Sequence, residues 1–309
     1  MAERSAAAPI SRPMAIAALL AVASSFAGNH VAARLAFDYG VNVPTAVVLR
    51  SVFTALFVFG LLRLGGHSLA LPPGRRLPAA AVGLLLTVQS YCLYSAVARI
   101  PVALALLAFN TYPFLLGAIS WLSGGERPRR STWIAMGVAL VGLALALDVA
   151  GRVGSQGAGV GTDVGRRWAE IGAGVGFALG ASATFAYALH LTAHRLPDID
   201  GRLRTLVTMS VVAIVTLAAG VGTAGLALPH DAPGWVGLAL LMILYAAAIT
   251  GLFIVLPRVG AVNNAAVMNF EPIASLIMAW VILGQTIAPL QIVGALLVIG
   301  AIVALSVAK

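Results

Sequence analysis

The sequence predicts an all-α polytopic membrane protein, with ten transmembrane helices arranged as two inverted five-helix repeats. Three observations predict it. The first is composition. Of 309 residues, 61% are hydrophobic and 9% charged, and the mean hydropathy is +1.00, whereas soluble domains are about half apolar and a quarter charged. The second is run length. Apolar stretches repeatedly reach the roughly 20 residues that a helix needs to cross about 30 Å of hydrocarbon. They are continuous rather than alternating, which argues against a β-barrel. The third is internal similarity. "RIPVALALLAFNTYPFLLGAISWLSGGE" aligns without gaps on "RVGAVNNAAVMNFEPIASLIMAWVILGQ". At one offset of 159 residues, Arg99 falls on Arg258, Asn110 on Asn269, Pro113 on Pro272, Trp121 on Trp280 and Gly125 on Gly284.

The elements follow in order. Residues 1–13, with two arginines and no obvious cleavable leader, read as a cytoplasmic tail. The first half, 14–147, holds spans Met14–Ala36, Thr45–Leu64, Leu77–Val97, Val102–Leu122 and Ser131–Leu147. A Gly-rich linker, 148–169, joins it to the second half, 170–309. That half holds Glu170–Leu191, Thr205–Ala227, Trp235–Leu256, Val262–Leu283 and Ile287–Val307. Polar, turn-rich segments such as "LPPGRRLP", "RLPDIDGRLR" and "LPHDAPG" separate the spans.

The net charge of +9 does not point to nucleic acid, because the arginines are scattered through short loops. Sorted by loop, most lie on one side: Arg63, Arg75, Arg76, Arg127, Arg129, Arg130, Arg195, Arg202, Arg204 and Arg258. The other side has Arg99, Arg152, Arg166 and Arg167, three of them in the long linker. The positive-inside rule then places both termini in the cytoplasm. Five spans per half is odd, so the second half is inverted. Such repeats mark secondary transporters, which bind near the bilayer midplane at the repeat interface.

Several membrane residues stand out. Glu271 and Pro272 interrupt an apolar run. A mid-span carboxylate costs about 2.5–3.5 kcal/mol on insertion scales, and Pro272 removes a backbone donor and clashes one turn back. Two readings stand. Glu271 lines a cavity and binds an amine or a proton, or it pins the kink by hydrogen bonding. Asn110 and Pro113 mirror Asn269 and Pro272 one repeat earlier. Each pair shares a helix face, open either to a cavity or to interhelical packing. Pro113 and Pro272 are the expected kink positions. Arg50 shares a face with Thr54 and suits a substrate carboxylate or a structural role. Arg34 reads as snorkelling to the interface, and His30, about a turn from a membrane surface, suits an interfacial role or a proton relay. Gln89, Tyr91 and Tyr94 make the third span the most amphiphilic, and Tyr187 and Tyr245 add aromatic surface. An aromatic belt is the alternative for the tyrosines. The fifth and tenth spans hold almost no polar side chains and read as outer helices packing through small residues.

Nothing points to an enzyme. The chain has no HExxH, no GxSxG and no Cys/His metal cluster, and its lone Cys92 rules out an internal disulfide. No cofactor or metal is expected.

Two five-span halves, each closing with an apolar-Pro span, a Gly-Glu/Gln turn and a Gly-rich last span, resemble the drug/metabolite transporter superfamily. The EamA-type branch is the most similar. "NFEPIASLIMAWVILGQTIAPLQIVGALLVIGAIVAL" resembles the end of an EamA repeat, and "VPTAVVLRSVFTALFVF" its second span. The glutamate usual after the glycine is present as Glu126 but replaced by Gln285, and the first span has "SSFAGNH" in place of a Trp-Gly. The resemblance implies export of amino acids or related metabolites across a bacterial inner membrane by alternating access, with proton coupling open. Arg50 would meet a carboxylate, Glu271 or Asn269 an amine, and Gln89, Tyr91, Tyr94, Asn110 and Tyr187 would line the cavity. Efflux of lipophilic cations is the alternative among transporters, and a membrane scaffold or sensor the alternative of another class.

Overall fold

The computed structural model describes residues 12–124, 130–146, 162–222, 225–259, 270–285 and 288–307. Among them there are helices and no strands. The helices are α1 (Arg12–Asp38), α2 (Val43–Leu64), α3 (Pro73–Arg99), α4 (Val102–Phe109), α5 (Tyr112–Leu122), α6 (Arg130–Ala146), α7 (Thr162–Arg195), α8 (Gly201–Gly222), α9 (Ala232–Val259), α10 (Glu271–Leu283) and α11 (Pro289–Val307). Seven segments are long and apolar enough to cross a membrane, with α4 and α5 together forming one of them; Glu271–Leu283 and Ile292–Ala301 are shorter apolar helices. The chain is thus an all-α, multi-pass membrane protein.

Boundaries differ from expectation where polar residues continue a helix. α1 runs two residues past Ala36 to Asp38, and α7 starts at Thr162, inside the segment read as linker. Hydropathy does not register a polar helical turn. The fourth span is two helices, because residues 110 and 111 form a turn between α4 and α5. Asn269, Glu126 and most of the linker lie outside the described residues, as does the start of the ninth span.

Local chemistry explains the ends. Asn42 caps α2 by accepting from the Thr45 amide at 3.0 Å, with Pro44 in the first turn. Gly284, at φ 63°, closes α10 in the left-handed conformation that glycine adopts without strain. Gln285 then reaches back, its Oε1 accepting from the first amide of α4, Val102, at 3.3 Å. An otherwise orphaned helix-end donor is satisfied across the repeat boundary.

The packing follows the repeat. If α1, α2, α3, α4–α5 and α6 are exchanged for α7, α8, α9, α10 and α11, the main helix pairings map onto one another. α1 packs on α9 as α7 packs on α3; α1 meets α10 as α7 meets α4 and α5; α3 meets α8 as α9 meets α2. The pairs α2–α8, α4–α10 and α6–α11 map onto themselves. Close approach is carried by glycine. A Cβ on Gly237 would lie 2.9 Å from the Ala32 carbonyl of α1, and one on Gly142 would lie 2.8 Å from the Gly294 carbonyl of α11. The second contact is the small-residue packing expected of the fifth and tenth spans.

Two ties join the halves at opposite ends of the bundle. At one end, Arg75 donates to Asp198 at 2.9 Å and to the Arg195 carbonyl at 2.7 Å. At the other, Asn42 donates to the Gly225 carbonyl at 3.0 Å, the Ala227 amide to Thr45 Oγ1 at 2.9 Å and the His230 amide to the Tyr39 carbonyl at 3.1 Å. The α2 helix, 22 residues or about 33 Å long, separates the two levels.

Candidate functional site

The most polar part of the interior is built on α1, α2, α3, α9 and α10. Arg50 is only 3% exposed. Its Nη2 donates to Ser90 Oγ at 2.8 Å and its Nη1 to the Tyr94 hydroxyl at 3.2 Å. Ser90 and Tyr94 stand one turn apart on α3, so both meet the two prongs of one guanidinium. The network continues outward. Tyr94, wholly buried, donates to Asn29 Oδ1 at 2.9 Å, and Ser90 donates to Gln89 Oε1 at 3.2 Å. The guanidinium carbon also lies 4.1 Å from the Tyr245 ring centroid and 5.0 Å from that of Tyr94. Such cation–π contacts suit a desolvated arginine. No carboxylate lies within ion-pair distance of Arg50 among the described residues.

Across from it stands Glu271, the first residue of α10. His30 Nε2 is 3.6 Å from Glu271 Oε1, within ion-pair range but too long for a hydrogen bond. The imidazole is buried, and its ring centroid is 5.7 Å from that of Tyr94. Four buried polar atoms in this region have no partner among the described residues: Asn29 Nδ2, His30 Nδ1, Arg50 Nε and Ser51 Oγ. Buried polar groups are nearly always paired, so four together call for a physical reason. An arrangement with unpaired donors beside a cation at one end and a carboxyl at the other is complementary to a molecule carrying both charges.

Other candidates are placed elsewhere. Asn110 is buried, but its Nδ2 donates at 2.8 Å to the Leu106 carbonyl of its own helix rather than across an interface. Thr111 Oγ1 contacts the Ala108 carbonyl at 2.8 Å and Ser182 Oγ of α7 at 3.0 Å. These side chains satisfy the backbone where the fourth span breaks. Pro113 lies in the first turn of α5 and Pro272 in the first turn of α10. Tyr91 is 44% and Tyr187 48% exposed; Tyr187 stacks on His190, and no hydrogen bond or ring contact ties either tyrosine to the Arg50 cluster among the described residues. Arg34 does not snorkel. It donates to the Val97 and Ala98 carbonyls at 3.1 Å each, capping the C-terminus of α3, and to Asp38 at 3.0 Å.

Asn29 is the residue sequence reasoning missed, and His30 is one it did not pair with Glu271. The available signal was the rarity of a histidine in an apolar span: an ionisable group there needs a partner, and Glu271 needed one too. An apolar groove of about 280 Å³ between α1, α9 and α10, lined by Gly28, Val31, Ala32, Leu240, Leu244 and Met278 among others, lies on the far side of α1 from His30. It has little polar surface.

Many apolar helices and an internal repeat whose helix pairings map onto one another are the architecture of a membrane transporter built from repeats. The EamA-like transporter family model matches residues 13–147 and again 172–307, and the chain belongs to that family. It is similar to proteins described as threonine/homoserine exporter RhtA from Escherichia coli strains K12, O6:H1 and O157:H7. Each is 25% identical over 298 residues, covering 96% of this chain and 91% of the relative. A solved chain described only as "Crystal structure of protein" shares the fold, with a TM-score of 0.63 at 16% identity, covering 95% of this chain and 99% of that one. The family confirms the motif-based resemblance to the drug/metabolite transporter superfamily.

Proposed function

We propose that the protein is a secondary transporter that exports small metabolites, amino acids foremost, across a bacterial inner membrane by alternating access. Ten spans in two inverted halves, 14–147 and 170–309, with both termini cytoplasmic, would provide the two gates. The observation that carries this reading is the buried Arg50–Tyr94–Asn29 network facing the Glu271–His30 pair. Arg50 receives the carboxylate through its unpartnered Nε, a charge-assisted hydrogen bond. Glu271 receives the ammonium group or, between cargoes, a proton. Gln89, Tyr91 and Tyr187 belong to the access route. The relatives described as threonine/homoserine exporters support the cargo class. Efflux of lipophilic cations fits less well, because a second cation would enter beside the buried Arg50 charge. Radiolabelled threonine loaded into proteoliposomes is the test. Saturable efflux accelerated by external unlabelled threonine is expected. Efflux no faster than from protein-free vesicles, for threonine and homoserine alike, rejects the reading.

A further inference from the structure

We propose that His30 is a positioning residue that holds the Glu271 carboxyl away from the Arg50 guanidinium, so that both remain open to the two ends of a zwitterion. The identity of that zwitterion rests on the transport reading above; the charge separation rests on geometry alone.

Arg50 and Glu271 carry opposite formal charges in the interior of one bundle. Attraction between such groups is strong where water is excluded, and a carboxylate is the usual partner of a buried arginine. Yet the two are not paired. The prongs of Arg50 go to Ser90 and Tyr94, and its flat face lies on the Tyr245 ring. The group that faces Glu271 is instead the neutral His30 imidazole, its Nε2 3.6 Å from Oε1. The His30 ring addresses Glu271 through Nε2 while lying 5.7 Å from the Tyr94 ring, and Arg50 lies 5.0 Å from that same ring. His30 therefore stands beside the acidic arm and within electrostatic reach of the basic arm. The other titratable groups facing this region are Tyr94 of α3, Tyr245 of α9 and Tyr112 of α5, which lies within electrostatic reach of Glu271.

The unpartnered atoms support the same division. Arg50 Nε and Asn29 Nδ2 are buried donors on the basic side. The Asn29 and Arg50 side chains meet at one oxygen, the Tyr94 hydroxyl, at 2.9 and 3.2 Å. An incoming carboxylate can accept from both. With a proton on Nε2 towards Glu271, His30 Nδ1 is an acceptor, so His30 adds a neutral lining rather than a third charge. An internal Arg50–Glu271 bridge would cancel both charges, and cargo would have to break it. A fixed spacer removes that competitor and makes recognition depend on a ligand that carries both signs.

Labelling of Glu271 by dicyclohexylcarbodiimide, read by mass spectrometry on the detergent-solubilised full chain, tests this without transport. The reagent attacks protonated carboxyls, and an ion pair with Arg50 would keep Glu271 ionised. In the wild type Glu271 is expected to label at pH 7. His30→Ala should cut labelling at least tenfold, because Glu271 then reaches Arg50. His30→Ala with Arg50→Gln should restore it, and His30→Gln, which fills the space with a neutral side chain, should label like the wild type. His30→Ser replaces the alanine variant if that one does not fold, with the same expectation. Unchanged labelling in the truncation variant, or no recovery in the double variant, overturns the proposal. So does a tenfold rise in Arg50→Gln alone, which would mean that Arg50 already reaches past His30. Threonine should protect wild-type Glu271 while lactate and ethanolamine, each with one charge, should not. If the variants follow the expected pattern but threonine neither protects nor crosses the membrane, the transport reading fails and the spacer role stands. If threonine crosses but the variants depart from the pattern, the reverse holds.

Discussion

Arg50 uses its two terminal nitrogens in different directions, one to Ser90 and one to Tyr94. A lysine can place one ammonium near one of them but not both in a fixed fork. Arg50→Lys should therefore fold while raising the KM for threonine about tenfold, on the order of one charge-assisted hydrogen bond. Flux titrated against cargo concentration checks this, and an unchanged KM would assign Arg50 to packing. Glu271→Gln keeps size and one acceptor, so the α10 terminus at Pro272 should survive. If Glu271 serves transport, flux per folded molecule and its pH profile should both change. A wild-type profile would leave Glu271 as a residue that holds the helix end. Of these two side chains, the sequence alone identified both as candidates, since each is an ionisable group in an apolar run. It did not identify their neighbours. His30 and Glu271 are 241 positions apart, and no local pattern reports a contact at that separation. His30 also reads as interfacial when the first span ends at Ala36; the helix continues to Asp38, and Tyr94 of α3 and Glu271 of α10 cover the imidazole.

At the level of elements, the fourth span was legible as interrupted, from Asn110 and Pro113, but the manner of interruption was not. The break is a turn at residues 110 and 111, and its carbonyls take side-chain donors from those same residues. A sequence window shows that a proline removes a bond, not which side chain replaces it. The start of α8 is a second case. Asp200 accepts from the Arg202 amide at 2.8 Å and from the Arg202 side chain at 3.1 and 2.9 Å. Its carbonyl accepts from Arg204 at 2.9 Å. The side-chain hydrogen bond from Arg202 is the main cause holding the Asp200 carboxyl below the usual carboxylate range. A depressed carboxyl stabilises the fold above its ordinary pKa of about 3.9 and loses that contribution as pH falls through its lower folded value. The pair is about half exposed, so the cap rather than the screened charge should dominate. Asp200→Ala should cost about 1 kcal/mol at pH 7. The gap to the wild type should close below about pH 4, as the wild type loses its own share. Thermal melts of both proteins in detergent across that range check the sign; a gap that widens in acid would contradict it.

Over the whole molecule, the repeat is visible both in the 159-residue offset and in the exchange of helix pairings. The pairing scheme itself was not legible, because an offset equates positions without saying which helices touch. Inversion is open to a direct measurement. Single cysteines at positions 128 and 287, on a Cys92-free background, should react with an impermeant maleimide from opposite sides of the membrane. Reaction of both from one side would remove the inverted arrangement. The ties at the two ends of the bundle also differ in kind. One is an ion pair between Arg75 and Asp198; the other is made of neutral amides, carbonyls and a hydroxyl at Asn42, Thr45 and Tyr39. Dissolved ions screen the first and barely touch the second. The tie at one end therefore responds to the electrolyte bathing it and the tie at the other does not. Potassium chloride raised from 0.05 to 0.5 M on the Arg75 side alone should speed any step that needs that end to part, while the same change on the Asn42 side should leave the turnover rate where it was.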